Sequence, residues 1–201
     1  AQMTSVSIAG DKNLTITTAL VSAVTTVDAS AATGKVNVGI ATGGDVTVTG
    51  GSGADTITVA GLTKADTIDG GDGSDTLKIT AGATQTFLDH KISNIEILEI
   101  ANPTGNSTND VKAIDDTTSI SLIAETTNTD ITVTNLAAAQ AVTVTNDSAG
   151  TLELGNVAIN LEDDTGLTDS MTVNLVAKTN AAQTLDLLTV DDASETLNLD
   201  V

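Results

Sequence analysis

The feature that most constrains the fold is a nine-residue pattern that occurs twice, twenty residues apart. Gly50–Thr58 reads Gly-Gly-Ser-Gly-Ala-Asp-Thr-Ile-Thr, and Gly70–Lys78 reads Gly-Gly-Asp-Gly-Ser-Asp-Thr-Leu-Lys. Both fit Gly-Gly-x-Gly-x-Asp-x-U-x, in which U is a large apolar residue. Because glycine tolerates positive φ, the first six positions can form a tight turn that directs its carbonyl oxygens towards one point. The last three positions predict a short strand whose apolar side chain enters the core.

Degenerate copies of the same pattern surround the two complete ones. Lys64–Asp69 keeps the Asp-x-Ile part but contains no glycine, and Gly43–Val46 keeps two glycines and an aspartate. The Asp-x-U units place Asp55, Asp66 and Asp75 at intervals of eleven and nine residues. If the chain winds into a roll in which successive turns alternate between two sides, every second turn lies on the same side. We therefore expect Asp55 and Asp75 to face each other on one edge, with Asp66 on the opposite edge.

Turns that combine backbone carbonyls with carboxylates predict calcium binding. Calcium takes about six to eight hard oxygen ligands at about 2.3–2.6 Å, and such turns provide both kinds of oxygen. We expect one well-formed site between the turns of Asp55 and Asp75. A second site is expected near Asp45 and Asp66.

The composition predicts an all-β chain. Trp, Tyr and Cys are absent and Phe87 is the single aromatic residue, so the core must be built from small and branched side chains, which suits thin stacked β layers. Short alternating runs, such as Ile95–Ile100, recur between Gly, Asn, Asp and Ser residues. We predict a parallel β-roll or β-solenoid with an irregular β scaffold on either side; a β-sandwich is the alternative after Ile120. Two short helices are predicted, at Thr84–Lys91 and Leu136–Ala141.

Three zones divide the chain. Residues 1–42 are predicted to form an N-terminal β segment, residues 43–80 the Gly-Asp roll, and residues 81–201 a solenoid-like or sandwich-like scaffold. The sequence ends at Asp200-Val201 within a strand pattern, and we expect it to be part of a longer protein.

The charge balance limits the partners. The chain has 27 acidic and 7 basic residues, for a formal charge of −20. This excess argues against nucleic acid and against an anionic membrane surface, because little could neutralise phosphates. No apolar run approaches the length of a membrane span, so membrane insertion is not expected. The acids are either a solvated, self-repelling surface or cation ligands.

The two complete repeats resemble the calcium-binding nonapeptides of the RTX family of secreted proteins. This resemblance implies that calcium is held between turns on the same side by alternate carbonyls and the sixth-position aspartate. The ligands it implies in this chain are Gly50, Ser52, Asp55, Gly71, Gly73 and Asp75.

A second resemblance concerns the order of motifs. The Gly-Asp turn is followed by Ile92–Ile100 (Ile-Ser-Asn-Ile-Glu-Ile-Leu-Glu-Ile), an arrangement similar to RTX-type surface-layer (S-layer) proteins of Gram-negative bacteria. That family implies type I secretion and a non-enzymatic, calcium-dependent lattice on the cell surface. The expected partners are further copies of the chain and a cell-surface polysaccharide. Three interpretations are open for the acidic pairs at Asp115-Asp116, Asp163-Asp164 and Asp191-Asp192: ligands of further calcium ions, bridges between subunits, or ordinary polar turn residues.

Three alternative functions remain open. An adhesin or matrix filament differs from a lattice only in its assembly geometry. Catalysis by this chain is not expected, since the single histidine, His90, cannot complete the two-histidine zinc motif of RTX proteases. The non-catalytic part of an RTX enzyme, with its catalytic domain elsewhere, is the less favoured alternative. An ice-binding solenoid would need regular ranks of threonine, and the Thr-x-Thr copies are unevenly spaced along the sequence.

Overall fold

The computed structural model describes residues 2–41, 44–80, 85–86, 91–101, 107–112, 114, 116–124, 130–137, 140–146, 153–162, 170–177, 184–190 and 196–200. Within these ranges the chain forms strands and turns, and no helix. No helix in this part of the chain is therefore long and apolar enough to cross a membrane. The strands pair in parallel, so the predicted all-β, parallel solenoid fold is confirmed.

Most strands are short, which fits the frequent turn residues of the sequence. Their bounds are β1 Ser5–Gly10, β2 Leu14–Thr15, β3 Thr26–Ala32, β4 Val36–Ile40, β5 Thr47–Thr49, β6 Thr56–Val59, β7 Thr67–Asp69, β8 Thr76–Ile79, β9 Gln85–Thr86, β10 Lys91–Ser93, β11 Ile97–Ala101, β12 Ser107–Asp110, β13 Ser119–Ala124, β14 Ile131–Leu136, β15 Ala141–Asn146, β16 Glu153–Leu161, β17 Ser170–Ala177, β18 Thr184–Val190 and β19 Thr196–Asp200.

The chain divides into two compact units, the first made of Ala1–Thr80 and Asp89–Leu98 and the second of Ala81–Leu88 and Glu99–Val201. In the first unit, one sheet has the strand order β1-β3-β5-β7-β10 and the other contains β2, β4, β6 and β8 in that order. The chain passes from one sheet to the other at each turn, so two successive strands complete one turn of a parallel solenoid. Thr56 of β6 pairs with Thr76 of β8, which gives a repeat of twenty residues.

The core of the first unit consists of aliphatic columns that run through successive strands. Val38, Ile57 and Leu77 are aligned neighbours in one sheet, and each is at most 1% exposed. Val48 and Ile68 are aligned in the facing sheet and are equally buried. Alternation along each strand directs these side chains inwards. Burial of each contributes about 1.5–3 kcal/mol relative to exposure.

The second unit is built in the same way. Its sheets have the orders β9-β12-β14-β16-β18 and β13-β15-β17-β19. Ile120, Val142 and Val173 form a buried aligned column in the second of these sheets. Because successive strands of each sheet are parallel and alternate with strands of the other, this unit is also a solenoid. The sandwich alternative for this region was wrong.

Both helix predictions were wrong where the structure describes the chain. Within the first segment, Gln85–Thr86 is strand β9 and Lys91 begins β10. In the second, Leu136 ends β14 and Ala141 begins β15, and the Gln140 side chain accepts a hydrogen bond from the Ala137 N–H at 2.9 Å. Segments this short nucleate a helix poorly. In the described parts, Gln85–Thr86 instead pairs in parallel with β12, and Leu136 and Ala141 belong to strands that pair in parallel with their neighbours.

Candidate metal centre

The successive turns of Asp55, Asp66 and Asp75 alternate between the two edges of the first unit. Residues 50–55 and 70–75 both lead from the β5/β7 sheet to the β6/β8 sheet, whereas residues 60–66 lead back. Asp55 and Asp75 are therefore stacked on one edge, and Asp66 lies on the other. All three aspartates are buried, at 1%, 0% and 2% exposure respectively.

Glycines are required in these turns because consecutive turns stack backbone on backbone. A Cβ at Gly50 would overlap the carbonyl oxygen of Gly70, and one at Gly70 would overlap that of Asn94. Gly71 and Gly73 also have positive φ, at 91° and 136°. Close approach and positive φ thus explain the glycines before any ion is considered.

The buried carboxylates form a ladder, in which each accepts a hydrogen bond from the backbone N–H of the preceding turn on its edge. Asp55 Oδ1 accepts from the Val36 N–H at 2.7 Å, and Asp75 Oδ1 accepts from the Asp55 N–H at 2.7 Å. Glu96 Oε2 continues the ladder by accepting from the Asp75 N–H at 2.7 Å. Asp66 makes the equivalent bond on the other edge, to the Val46 N–H at 2.8 Å.

The second carboxylate oxygen distinguishes the three aspartates. Asp55 Oδ2 accepts from the Gly51 N–H and Asp66 Oδ2 from the Thr63 N–H, both at 2.7 Å. Asp75 Oδ2 is buried and has no hydrogen-bond partner among the described residues.

The Gly71 N–H, which would correspond to the donor in the first turn, bonds instead to Asp69 Oδ1 at 3.1 Å. The same Asp69 oxygen accepts from Asn94 Nδ2 at 2.7 Å. The turn of Asp75 thus keeps one unused, buried carboxylate oxygen.

Electrostatics separate Asp75 from ordinary carboxyls. Burial raises the pKa of Asp75 from 3.8 to about 6, and repulsion from Asp55, Glu96 and Asp69 adds to the rise of the pKa. The hydrogen bond from the Asp55 N–H opposes it. A cation placed beside Asp75 Oδ2 would relieve both the burial cost and the repulsion.

The other predicted ligands divide between the two edges. Gly50, Ser52, Gly71 and Gly73 belong to the stacked turns of Asp55 and Asp75. Asp45 is exposed and belongs to the edge of Asp66. Thr63 links these two acids, because its hydroxyl donates to Asp45 Oδ1 at 3.0 Å and its N–H donates to Asp66.

In the described ranges, no group of three or more His, Cys, Asp or Glu side chains is arranged to hold a metal ion. Backbone carbonyls would therefore have to supply most ligands of any site. Asp116 lies in a described turn. His90, Asp115 and the acidic pairs at Asp163-Asp164 and Asp191-Asp192 lie outside the described residues.

Sequence reasoning missed Glu96. The sequence predicted a strand over Ile95–Ile100, but the strand begins at Ile97, and Glu96 occupies the turn. The available signal was an acid followed by x-U: Glu96-Ile97-Leu98 repeats the form of Asp75-Thr76-Leu77 without the glycines.

The chain matches no protein-family model, no curated protein and no solved structure.

Proposed function

We propose that this chain is a structural, calcium-stabilised solenoid of a secreted bacterial surface protein. In this proposal, calcium binds at the stacked Gly-Asp turns, and copies of the chain assemble into an S-layer-type lattice outside the cell. The role is one of scaffolding, without catalysis.

The observation that carries the proposal is the unpaired Oδ2 of Asp75. A buried carboxylate oxygen without a donor is costly, and three neighbouring acids increase that cost. Calcium compensates such an oxygen well because it is a hard, divalent ion that accepts carboxylate and carbonyl ligands together. The chemistry of the donors therefore fits the ion.

The residues that would hold the ion are those of the two stacked turns. Asp75 would supply its unused Oδ2, and Asp55 would supply the remaining lone pairs of its carboxylate. The turns of Gly50 and Gly71 would supply backbone carbonyl oxygens. When bound, calcium supplies positive charge that neutralises the buried acids. Where calcium is scarce, as in a cytosol, the acids repel one another and the fold is weaker; millimolar calcium outside a cell then favours folding.

The decisive experiment measures thermal unfolding by far-UV circular dichroism in EGTA and in calcium, with magnesium as the control ion. A ligand at one hundred times its dissociation constant adds about 2.7 kcal/mol to the free energy of unfolding. We expect a clear rise in melting temperature with calcium and a much smaller one with magnesium. An identical melting temperature in EGTA and calcium would contradict the proposal.

One observation favours ice binding as a second candidate. Although the Thr-x-Thr copies are unevenly spaced in sequence, the structure aligns Thr26, Thr47 and Thr67 in one outward rank. The adjacent rank contains Asp28 and Asp69, whose carboxylates interrupt the hydroxyl array. If the folded chain inhibited ice recrystallisation, ice binding would be favoured over the scaffold function.

A further inference from the structure

The two Gly-Asp turns share a motif but differ in the residue that precedes it. Thr49 stands before the first turn and Asp69 before the second, and the two residues are aligned neighbours on strands β5 and β7. A pair of glycines follows in both cases. The difference lies outside the nine-residue pattern, at the point where the chain leaves the strand.

This preceding residue decides where the N–H of the second glycine points. In the first turn, the Gly51 N–H donates to Asp55 Oδ2 at 2.7 Å. In the second turn, the Gly71 N–H donates to Asp69 Oδ1 at 3.1 Å. Aspartate readily accepts the N–H two residues further on, whereas a threonine hydroxyl does so more weakly. Asp69 and Asp75 therefore compete for one donor, and Asp75 is left with an unpaired, buried Oδ2.

Asn94 holds Asp69 in place for this competition. Its Nδ2 donates to the same Asp69 Oδ1 at 2.7 Å, and its backbone has a positive φ of 54°. In the first turn the corresponding residue is Gly70, because the Gly50 N–H donates to the Asp69 carbonyl as the Gly70 N–H donates to the carbonyl of Ser93. The first turn thus lacks both the acid and the amide.

The same pairing of acid and amide occurs in the second unit, where no Gly-Asp turn follows. Asp110 Oδ1 accepts from the Lys112 N–H at 3.2 Å and from Asn135 Nδ2 at 2.8 Å. Asn135 also has a positive φ, of 57°, and follows its acid by 25 residues, as Asn94 follows Asp69. The pairing therefore forms by itself and needs no ion turn beside it.

We propose that Asp69, held by Asn94, is a positioning residue of the calcium site. Asp69 draws the Gly71 N–H away and so leaves Asp75 Oδ2 for the cation. Its negative charge also repels Asp75, and a cation beside that oxygen relieves the repulsion. This inference deepens the proposed function and rests on it.

The test is calcium titration by isothermal calorimetry, with the parent chain and the variant Asp69→Thr. The variant gives the second turn the residue that precedes the first, so the Gly71 N–H bonds to Asp75 Oδ2. We expect calcium binding to weaken about tenfold or more, a loss of at least about 1.4 kcal/mol. In EGTA the melting temperature should not fall below that of the parent chain, because a buried oxygen gains a donor.

Two further variants separate position from charge. Asp69→Asn keeps an acceptor oxygen for both donors but removes the charge, so it should bind calcium more tightly than Asp69→Thr. Asn94→Gly tolerates the positive φ and removes the amide that holds Asp69. It should weaken calcium binding in the same direction as Asp69→Thr, and it provides the test if Asp69→Thr does not fold.

The matched control is Asp28→Thr. Asp28 lies in the same rank as Thr49 and Asp69, and it also accepts the N–H two residues further on, that of Ser30, at 3.0 Å. No Gly-Asp turn follows directly after Asp28, which lies within strand β3. The control removes the same charge and the same kind of bond, and it should leave calcium affinity unchanged.

The outcomes distinguish this inference from the proposed function. A parent chain that binds no calcium would refute the proposed function and this inference with it. Calcium binding by the parent that is equally tight in Asp69→Thr and Asn94→Gly would overturn this inference alone. Equal weakening by Asp69→Thr and Asp69→Asn would also overturn it, because Asp69 would then act through its charge and not through the position of the Gly71 N–H.

Discussion

Asp55 and Asp75 occupy the same position of the same motif, yet the structure predicts opposite outcomes when each is changed to asparagine. Both oxygens of Asp55 accept backbone N–H groups, those of Val36 and Gly51. Asp75 uses one oxygen for the Asp55 N–H and leaves the other unpaired. The sequence alone would predict the same role for the two aspartates and the same loss of stability when either is replaced.

Without calcium, Asp55→Asn replaces one acceptor by an NH₂ group that faces a buried backbone donor. One N–H then loses its partner, which costs about 1–3 kcal/mol. Asp75→Asn keeps the Oδ1 bond, places the NH₂ at the unpaired position and removes the repulsion from Asp55, Glu96 and Asp69. A pKa raised from 3.8 to about 6 corresponds to at most about 3 kcal/mol of charging cost at neutral pH. We therefore expect Asp75→Asn to be as stable as the parent chain or more stable.

With calcium the order should reverse for Asp75. The parent chain gains the binding free energy and Asp75→Asn gains little, so the variant falls below the parent. Urea unfolding at pH 7, followed by circular dichroism because Trp and Tyr are absent, measures all three proteins in EGTA and in calcium. Equal destabilisation of the two variants in EGTA would refute the hydrogen-bond reasoning. An Asp75→Asn variant that responds to calcium like the parent would refute the assignment of the ion to Asp75.

Three further predictions concern single features of the structure. Gly70→Ala should lower the free energy of unfolding by about 3 kcal/mol because the added Cβ overlaps the next turn. Gly44→Ala, with open space around the added Cβ, should change the free energy of unfolding by less than about 0.5 kcal/mol. Equal effects of the two variants in urea unfolding would contradict the stacking argument. In EGTA, the stabilising contribution of Asp75 is fully present below its unfolded pKa of 3.8 and is lost as pH rises through its folded pKa of about 6. The slope is at most about 1.4 kcal/mol per pH unit, and it should be absent from the Asp75→Asn variant. Asn109 is fully buried with an unpaired Oδ1, while its Nδ2 donates long hydrogen bonds to Ser107 Oγ at 3.3 Å and to the Thr132 carbonyl at 3.4 Å. Asn109→Leu removes the cost of the unpaired oxygen and the two long bonds together, so it should change the free energy of unfolding by no more than about 1 kcal/mol in either direction. A loss of more than about 2 kcal/mol in urea unfolding would contradict this balance.

The parts of the fold that were predictable from sequence are those that follow a local pattern. The Asp-x-U units identified turns and strands because glycine, aspartate and a single apolar residue have fixed positions there. Alternation of apolar residues in runs such as Val36–Ile40 identified the inward faces. The parallel pairing was expected from the resemblance of the two complete repeats to the RTX nonapeptides.

Other features depend on neighbours in space and left little trace in the sequence. The acceptor for the Asp75 N–H is Glu96, which stands in a turn without glycines. The difference between Asp55 and Asp75 arises because the Gly71 N–H turns towards Asp69, a choice that the shared motif does not encode. The helix predictions failed because a short segment takes its structure from the adjacent strand.

The carboxylate ladder also has a direction along the chain. Each backbone N–H is satisfied by a residue about twenty positions later: Val36 by Asp55, Asp55 by Asp75, and Asp75 by Glu96. During synthesis from the N-terminus, the newest turn is always the incomplete one, and it stays so until the following turn has formed. A chain that emerges with its C-terminus first presents each carboxylate acceptor of the ladder before its backbone donor. The N–H groups of Thr67 and Thr76 donate the other way, to the Val46 and Asp55 carbonyls of earlier turns. In either order of emergence, a turn of this solenoid is therefore completed only when its neighbour has formed.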